Sequence, residues 1–411
     1  MSKGWEIKKL GEIVTTFKDG DWIESKDQSS EGIRLIQTGN VGDGFFKDRG
    51  DKARYISEQT FKKLKCTEIF EGDVLISRLP DPVGRACILP FIDEKMITAV
   101  DCSIIRFNQN IIIPKWFLAY SISDAYQSEI QKQVTGATRQ RISRKNLGAI
   151  PIPLPPLPEQ HRIVSILDKC FSAIDKAKAN AEQNLKNAKE LFESYLQGVF
   201  EENGERWEEK KLGEVAKHTL GKMLDKNKNK GVLKKYLRNL NVRWFGFDLS
   251  DLNEMPFLES EKEKYTAIRG DVLVCEGGYP GRAAIWEEDY PIYFQKAVHR
   301  VRFHKNVYNK WFLNYLFILD STGKLKTHFT GTGIQHFTGQ ALGKLTIPIP
   351  PQCEIDAIIS KIDALRAETQ KLEAVYQKKI ADLEELKKSI LQLAFAGELT
   401  EKNASQKYDK K

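Results

Sequence analysis

The feature that most restricts the possible folds is an internal duplication. Trp5-Glu6-x-Lys8-Lys9-Leu10-Gly11-Glu12-Ile13 returns as Trp207-Glu208-x-Lys210-Lys211-Leu212-Gly213-Glu214-Val215. Gly72-Asp73-Val74-Leu75-Ile76 returns as Gly270-Asp271-Val272-Leu273-Val274, and Gly84-Arg85-Ala86 as Gly281-Arg282-Ala283. Lys115-Trp116-Phe117-Leu118 matches Lys310-Trp311-Phe312-Leu313, and Leu147-Gly148 before IPIPLPP matches Leu342-Gly343 before IPIPP. The offset falls from 202 to 195, so the second copy is slightly shorter. A repeat of about 200 residues is a duplicated domain, because solenoid repeats run only 20–45. One frame must be built twice.

Each copy opens with a mixed region. Short β-branched and aromatic runs at Asp73–Ser77, Cys102–Phe107 and Val298–Phe303 predict strands, and 115–132 and 310–320 predict helices. Proline follows: eight of the 15 sit in Pro151–Pro158 and Pro348–Pro351. Such a segment is extended and continues neither a helix nor a central strand. It could be a PxxP ligand, but its recurrence at the same place in both copies favours a structural linker.

After each proline segment comes a long stretch free of Gly and Pro, until Gly198 and Gly397. Ile163, Leu167, Cys170, Ile174, Ala177, Ala181, Asn184, Ala188, Leu191 and Tyr195 alternate four and three apart. The same phase gives Ile358, Ile362, Leu365, Thr369, Leu372, Tyr376, Lys379, Leu383, Leu386 and Ile390. Two long helices with a heptad seam are predicted, with Asn184 and Lys379 as a matched polar layer that sets register. Connectivity makes the helices antiparallel, with a globular unit at each end of a dumbbell. The predicted fold class is α+β: two mixed α/β domains and two long antiparallel helices in a pseudo-two-fold tandem duplication. Its segments are 1–157, the helix 158–203, 204–352, the helix 353–397, and a polar tail 398–411.

Composition narrows the function. The 411 residues carry 64 Lys and Arg against 56 acids, a net charge of +8 that permits a polyanionic partner without demanding one. No apolar run approaches the roughly 18 residues of a membrane span, and charges follow the first residues at once, so the chain is expected to be cytoplasmic. The six cysteines form no C-x-x-C pair, and the nearest histidines, His299 and His304, lie in a strand-like run. No metal is expected, and the thiols are expected to be reduced. There is no P-loop, no dinucleotide fingerprint, no G-x-S-x-G elbow and no H-E-x-x-H. Gly331-Thr332-Gly333 lacks the third glycine, and Asp73 and Asp271 read as turn residues that open strands. No catalysis is expected of this chain.

Duplicated head, proline segment and long helix together resemble the specificity subunit of a Type I restriction–modification system. The telling strings are Gly72-Asp73-Val74-Leu75, Thr135-Gly136-Ala137-Thr138-Arg139-Gln140-Arg141-Ile142, and Pro153-Leu154-Pro155-Pro156-Leu157-Pro158-Glu159-Gln160. The second copy departs at Pro351-Gln352-Cys353-Glu354-Ile355-Asp356 and at Thr330-Gly331-Thr332-Gly333-Ile334-Gln335-His336. The resemblance implies two target-recognition domains, each reading half of a split double-stranded DNA site, and helices that space them. It also implies docking of two modification subunits, which hold S-adenosylmethionine, and then of restriction subunits, which use ATP and Mg. No cofactor is implied for this chain itself.

Three loops in each head supply side chains of the kind that read base edges and phosphates. The first loop holds Gln37 and Asn40, answered by Arg238 and Asn241. The second holds Arg78 and Arg85, answered by Tyr279 and Arg282. The third holds Thr138, Arg139, Gln140 and Arg141, answered by Gln335 and His336. Singly each reads as solvated surface; as three loops together they are the candidate DNA-binding residues. Two rival readings are a coiled-coil scaffold for protein partners and a stand-alone DNA-binding repressor.

Overall fold

The computed structural model describes residues 4–136, 139–203, 207–225, 229–305 and 307–399. The chain divides into two compact units, Met1–Ala181 with Lys378–Lys411, and Glu182–Gln377. Each unit therefore contains the start of one long helix and the end of the other.

In the first unit an antiparallel sheet runs in the order Val14–Asp19, Cys102–Phe107, Val74–Ser77 and Ala86–Ile88. The second unit repeats it as Ala216–Leu220, Val298–Phe303, Val272–Cys275 and Ala283–Ile285. The predicted strands lie in these two sheets. Asp73 and Asp271 open the third strand of each. Asp73 accepts the Phe70 N–H (3.0 Å) and pairs with Arg106 through two bonds of 2.7 and 2.9 Å. Asp271 accepts from Ile268 (2.8 Å) and pairs with Arg302 at 2.7 and 2.6 Å. Both aspartates are buried turn residues, as the sequence indicated, and each is neutralised by an arginine from the neighbouring strand.

The copies differ in their other sheet. The first unit has five strands, in the order Gln28–Ser29, Arg54–Ile56, Ile33–Ile36, Met96–Thr98 and Glu68–Ile69. The second has four, Asn253–Phe257, Val232–Leu237, Ile292–Phe294 and Thr266–Ala267. One parallel pair at the centre is common to both.

The proline segments are extended, as expected, but the first part of each is a strand rather than a free linker, and Pro158 lies within the first turn of the long helix. Pro151–Leu154 pairs antiparallel with Glu6–Lys9, and Thr346–Ile349 with Glu208–Lys211. Each ladder has only two strands, so both are edges, where a missing N–H is tolerated. The carbonyls are used as well: Trp116 Nε1 donates to Pro153 (2.9 Å) and Trp311 Nε1 to Pro348 (2.7 Å). This is why tryptophan recurs with the prolines.

The long helices are Leu157–Asn203 and Gln352–Ala396. In the first unit they are antiparallel, since Asp175 meets Lys387 at 3.7 Å and Lys178 meets Glu384 at 2.6 Å. In the second, Phe192 and Leu196 share one cluster with Ile362. The seam follows the predicted positions at Ile163, Leu167, Ile174, Ala181 and Ala188, then moves one residue on, to Phe192 and Leu196, leaving Leu191 exposed. Ile163 and Phe192, like Ile362 and Leu391, stand 29 residues apart, about eight turns of a straight helix at 3.6 residues each. The expected polar layer is absent: Asn184 and Lys379 are exposed, and Leu185 and Ile380 occupy the half-buried positions instead.

Each head is closed by the far end of the other copy's helix. Phe395 packs edge-on against Trp116 (4.9 Å) in the first unit, and Trp116 in turn against Trp5 (5.5 Å). In the second unit Phe200 takes that place, 4.7 Å from Trp311, which meets Trp207 at 5.1 Å. The helix starts differ. Gln160 is fully buried and bonds the Ile113 N–H and the carbonyls of Ile111 and Pro155. Ile355, also fully buried, replaces it in the second copy with purely apolar contact.

Candidate nucleic-acid interface

In both heads the three predicted loops meet at one rim. In the first, Arg85 gathers two of them. Its Nε donates to the Val41 carbonyl (2.7 Å), and its terminal nitrogens donate to Thr38 (2.9 Å), Leu79 (2.8 Å) and Pro82 (3.1 Å). The Ile142 N–H bonds the Arg78 carbonyl (3.2 Å), which ties in the third loop. In the second head, Arg282 donates to the Asn239 carbonyl (3.0 Å), Asn239 Nδ2 to Gly277 (2.9 Å), and the Phe337 N–H to Glu276 (2.7 Å).

Several candidates are inside this frame rather than on it. Asn40 and Asn241 are buried. Asn40 accepts the Gln37 N–H (3.0 Å) and donates to Lys47 (3.1 Å). Asn241 accepts from Arg238 (2.9 Å) and donates to Asp248 and Asp251 (both 2.9 Å). Their amides are consumed in bracing a turn. Arg78 and Arg85 are buried as well, and burial pushes both guanidinium pKa values down. Arg78 bonds the Val100 carbonyl and lies 3.5 Å from Asp19. The expectation that these four present side chains at the surface is therefore corrected: Gly, Arg and Asn anchors recur because the frame needs them. Arg282 is half-buried, and Arg238 is drawn onto Asp251 at 2.7 Å. Gln37 is half-buried at the start of its turn.

The third loop carries the exposed chemistry. Backbone bonds between Thr135 and Arg141 (2.9 Å each way) close it, and Gly136 stands at φ +96°, where a Cβ would lie 2.4 Å from the Arg139 carbonyl. Thr330 and His336 close the second copy in the same way (2.9 and 2.8 Å), with Gly331 at φ +105°. The divergent loop sequence thus leaves the closure unchanged. Arg139 is 74% exposed and lies 3.7 Å from Asp101, and Arg141 lies 3.1 Å from the same carboxylate. Gln140, Gln335 and His336 are exposed; Thr138 lies outside the described residues. Tyr279 is 47% exposed, donates to Asp320 at 3.3 Å and stacks under Arg282 at 5.0 Å. The Asp320 charge raises its phenol pKa.

Sequence reasoning missed Asp101, which holds both arginines. Its signal was its place immediately before a repeated strand: the Arg78 N–H bonds the Asp101 carbonyl (2.9 Å) as the Glu276 N–H bonds that of Ala297 (2.8 Å). Among the described residues, no group of three His, Cys, Asp or Glu side chains converges as a metal site would. No described helix is long and apolar enough to cross a membrane.

One frame built twice, each copy ending in a rim of polar loops, defines a tandem recognition protein. Comparison with known families gives the class a name. The family described as "Type I restriction modification DNA specificity domain" matches residues 2–186 and again 204–382, and the chain belongs to it. It is 24% identical over a 435-residue alignment to the EcoKI specificity subunit of Escherichia coli K12, covering 97% of this chain and 90% of that one. The MjaVIII specificity subunit of Methanocaldococcus jannaschii is 25% identical, with 97% and 94% covered. In fold it is similar to a chain described under "Structural basis underlying complex assembly and conformational transition of the type I R-M system", with TM-score 0.77, 19% identity, and 97% and 99% covered. The HsdS subunit of Thermoanaerobacter tengcongensis gives TM-score 0.59 at 20% identity, with 97% and 98% covered.

Proposed function

We propose that this chain is the sequence-reading, non-catalytic subunit of a Type I restriction–modification complex, and that its two rims read two different half-sites of double-stranded DNA. The observation that carries this reading is the third loop: the same closure in both heads presents Arg139-Gln140-Arg141 in one and Ile334-Gln335-His336 in the other. Equal frames with unequal tips read an asymmetric, bipartite target, because sequence is read by the side chains that reach base edges. Arg139 and Arg141 supply charged donors suited to guanine or phosphate, and Gln140 and Gln335 supply amides suited to adenine.

In this reading the long helices set half-site spacing and dock two modification subunits, to which restriction subunits add. S-adenosylmethionine belongs to the modification subunits, ATP and Mg to the restriction subunits, and the complex works in the cytoplasm. The test is to assemble the full chain with its modification subunits and sequence the methylated motif. A motif of two unlike halves around a fixed gap is expected. A continuous or palindromic motif overturns the reading.

A further inference from the structure

Resting on the proposed DNA reading, we infer that Ile334 is a specificity residue of the second head and packs against the C5 methyl of a thymine. Ile334 is 76% exposed, the most exposed large apolar side chain among the described residues. It stands at the tip of a loop whose shape is fixed by the Thr330–His336 bonds and by Gly331. Its counterpart in the first head is Arg139, a charged tip held near Asp101.

The anchor has changed together with the tip. Asp101 is replaced by Ala297 at the same backbone position, so the second head removes the cation and the carboxylate that held it. Leu240, 60% exposed, stands on the adjoining loop where the first head has Gly39. Asn239 next to it is bonded to Gly277, and Gly277 lies against His336, which joins the two loops at one rim. The second rim thus offers apolar contact where the first offers charge. In the major groove the only apolar group that distinguishes one base from another is the thymine methyl, and an apolar side chain is its complement. A β-branched side chain on a rigid loop loses little rotamer freedom on making that contact.

The experiment uses the full chain in complex with its modification subunits, on duplexes of the methylated motif. Each thymine, on either strand, is replaced singly by deoxyuridine, which removes only the methyl group. Affinity is measured for the unaltered complex and for Ile334→Ala, an exposed change that leaves the loop's backbone bonds intact. At one thymine the unaltered complex should lose about fourfold, the worth of burying one methyl, and Ile334→Ala should lose nothing further there. A deoxyuridine effect equal in both proteins at every thymine, or a target half without thymine in either strand, overturns the assignment. A scrambled duplex separates the two failures. If the motif is still preferred over it, only the role of Ile334 falls; if it is not, base reading by the chain falls first.

Discussion

Replacing Arg85 by Ala should loosen the first rim far more than the equivalent Arg282→Ala loosens the second. Arg85 donates to four carbonyls drawn from two loops, and Arg282, among the described residues, to one, that of Asn239. A buried carbonyl left without a donor costs about 1–3 kcal/mol, and bonds from a charged donor are at the strong end. The four lie at a rim that water partly reaches, so the loss at Arg85 should be about 3–5 kcal/mol rather than a full sum. The loss at Arg282 should be about 1–2 kcal/mol. A chain of two units has no single unfolding free energy, so local opening is the quantity to measure. Hydrogen exchange in peptides covering 37–41 and 77–85 should accelerate about a hundredfold or more in Arg85→Ala. Peptides covering 238–241 and 275–282 should accelerate only about tenfold in Arg282→Ala. Equal acceleration in the two heads would refute the idea that Arg85 is what gathers the loops.

Three further outcomes follow from the same geometry. Arg139→Ala or Arg141→Ala should cost about 1–3 kcal/mol and relax selectivity in one half-site if the side chain meets a base, or weaken binding on all sequences with a smaller salt slope if it meets phosphate; a variant unchanged in both measures removes that residue from the interface. Deleting 177–183 together with 379–385, the opposite segment given by the Asp175–Lys387 and Lys178–Glu384 pairs, shortens the helices by about 10 Å, and the gap in the methylated motif should fall by about three base pairs; an unchanged gap in an active complex would show that the helices serve only as a dock. Burial drives the His299 pKa from 6.5 down to about 4, so the unfolded chain takes up the proton first, and the second unit should lose up to about 3 kcal/mol as pH falls from 6.5 to 4, with full stability above that window. His299→Ser, copying Ser103 of the first head, should remove most of this slope, leaving the part owed to His218, whose burial also lowers its pKa, in pH-dependent denaturation followed by exchange in unit-specific peptides; an unaltered slope would place the titrating group elsewhere.

The duplication, the repeated strands and the long helices were legible because they rest on periodicity and spacing. The seam was legible only for its first half. A heptad template assumes that supercoiling holds the 3.5-residue period, and these helices drift at 3.6, so Asn184 and Lys379 turned out to face water. The rim was legible as three loops but not side chain by side chain. Asn40, Asn241 and Arg85 look like readers by chemistry, yet each is used up in holding a turn, and burial is not written in local sequence. Asp101 escaped notice because its role depends on a contact 38 and 40 residues downstream, with Arg139 and Arg141.

The closing of each head by the other copy's helix end also governs the order in which the chain can mature as it leaves the ribosome. The second head's clamp, Trp207 and Trp311 against Phe200, is complete once its own helix start has emerged. The first head, although synthesised first, must wait for Ile390, Leu391, Ala394 and Phe395, which finish its core. A chain stopped short of residue 390 would therefore leave its amino-terminal half with an open Trp116 face, while the half nearer the break could still close. Nonsense changes near the end of the gene should do their damage at its beginning.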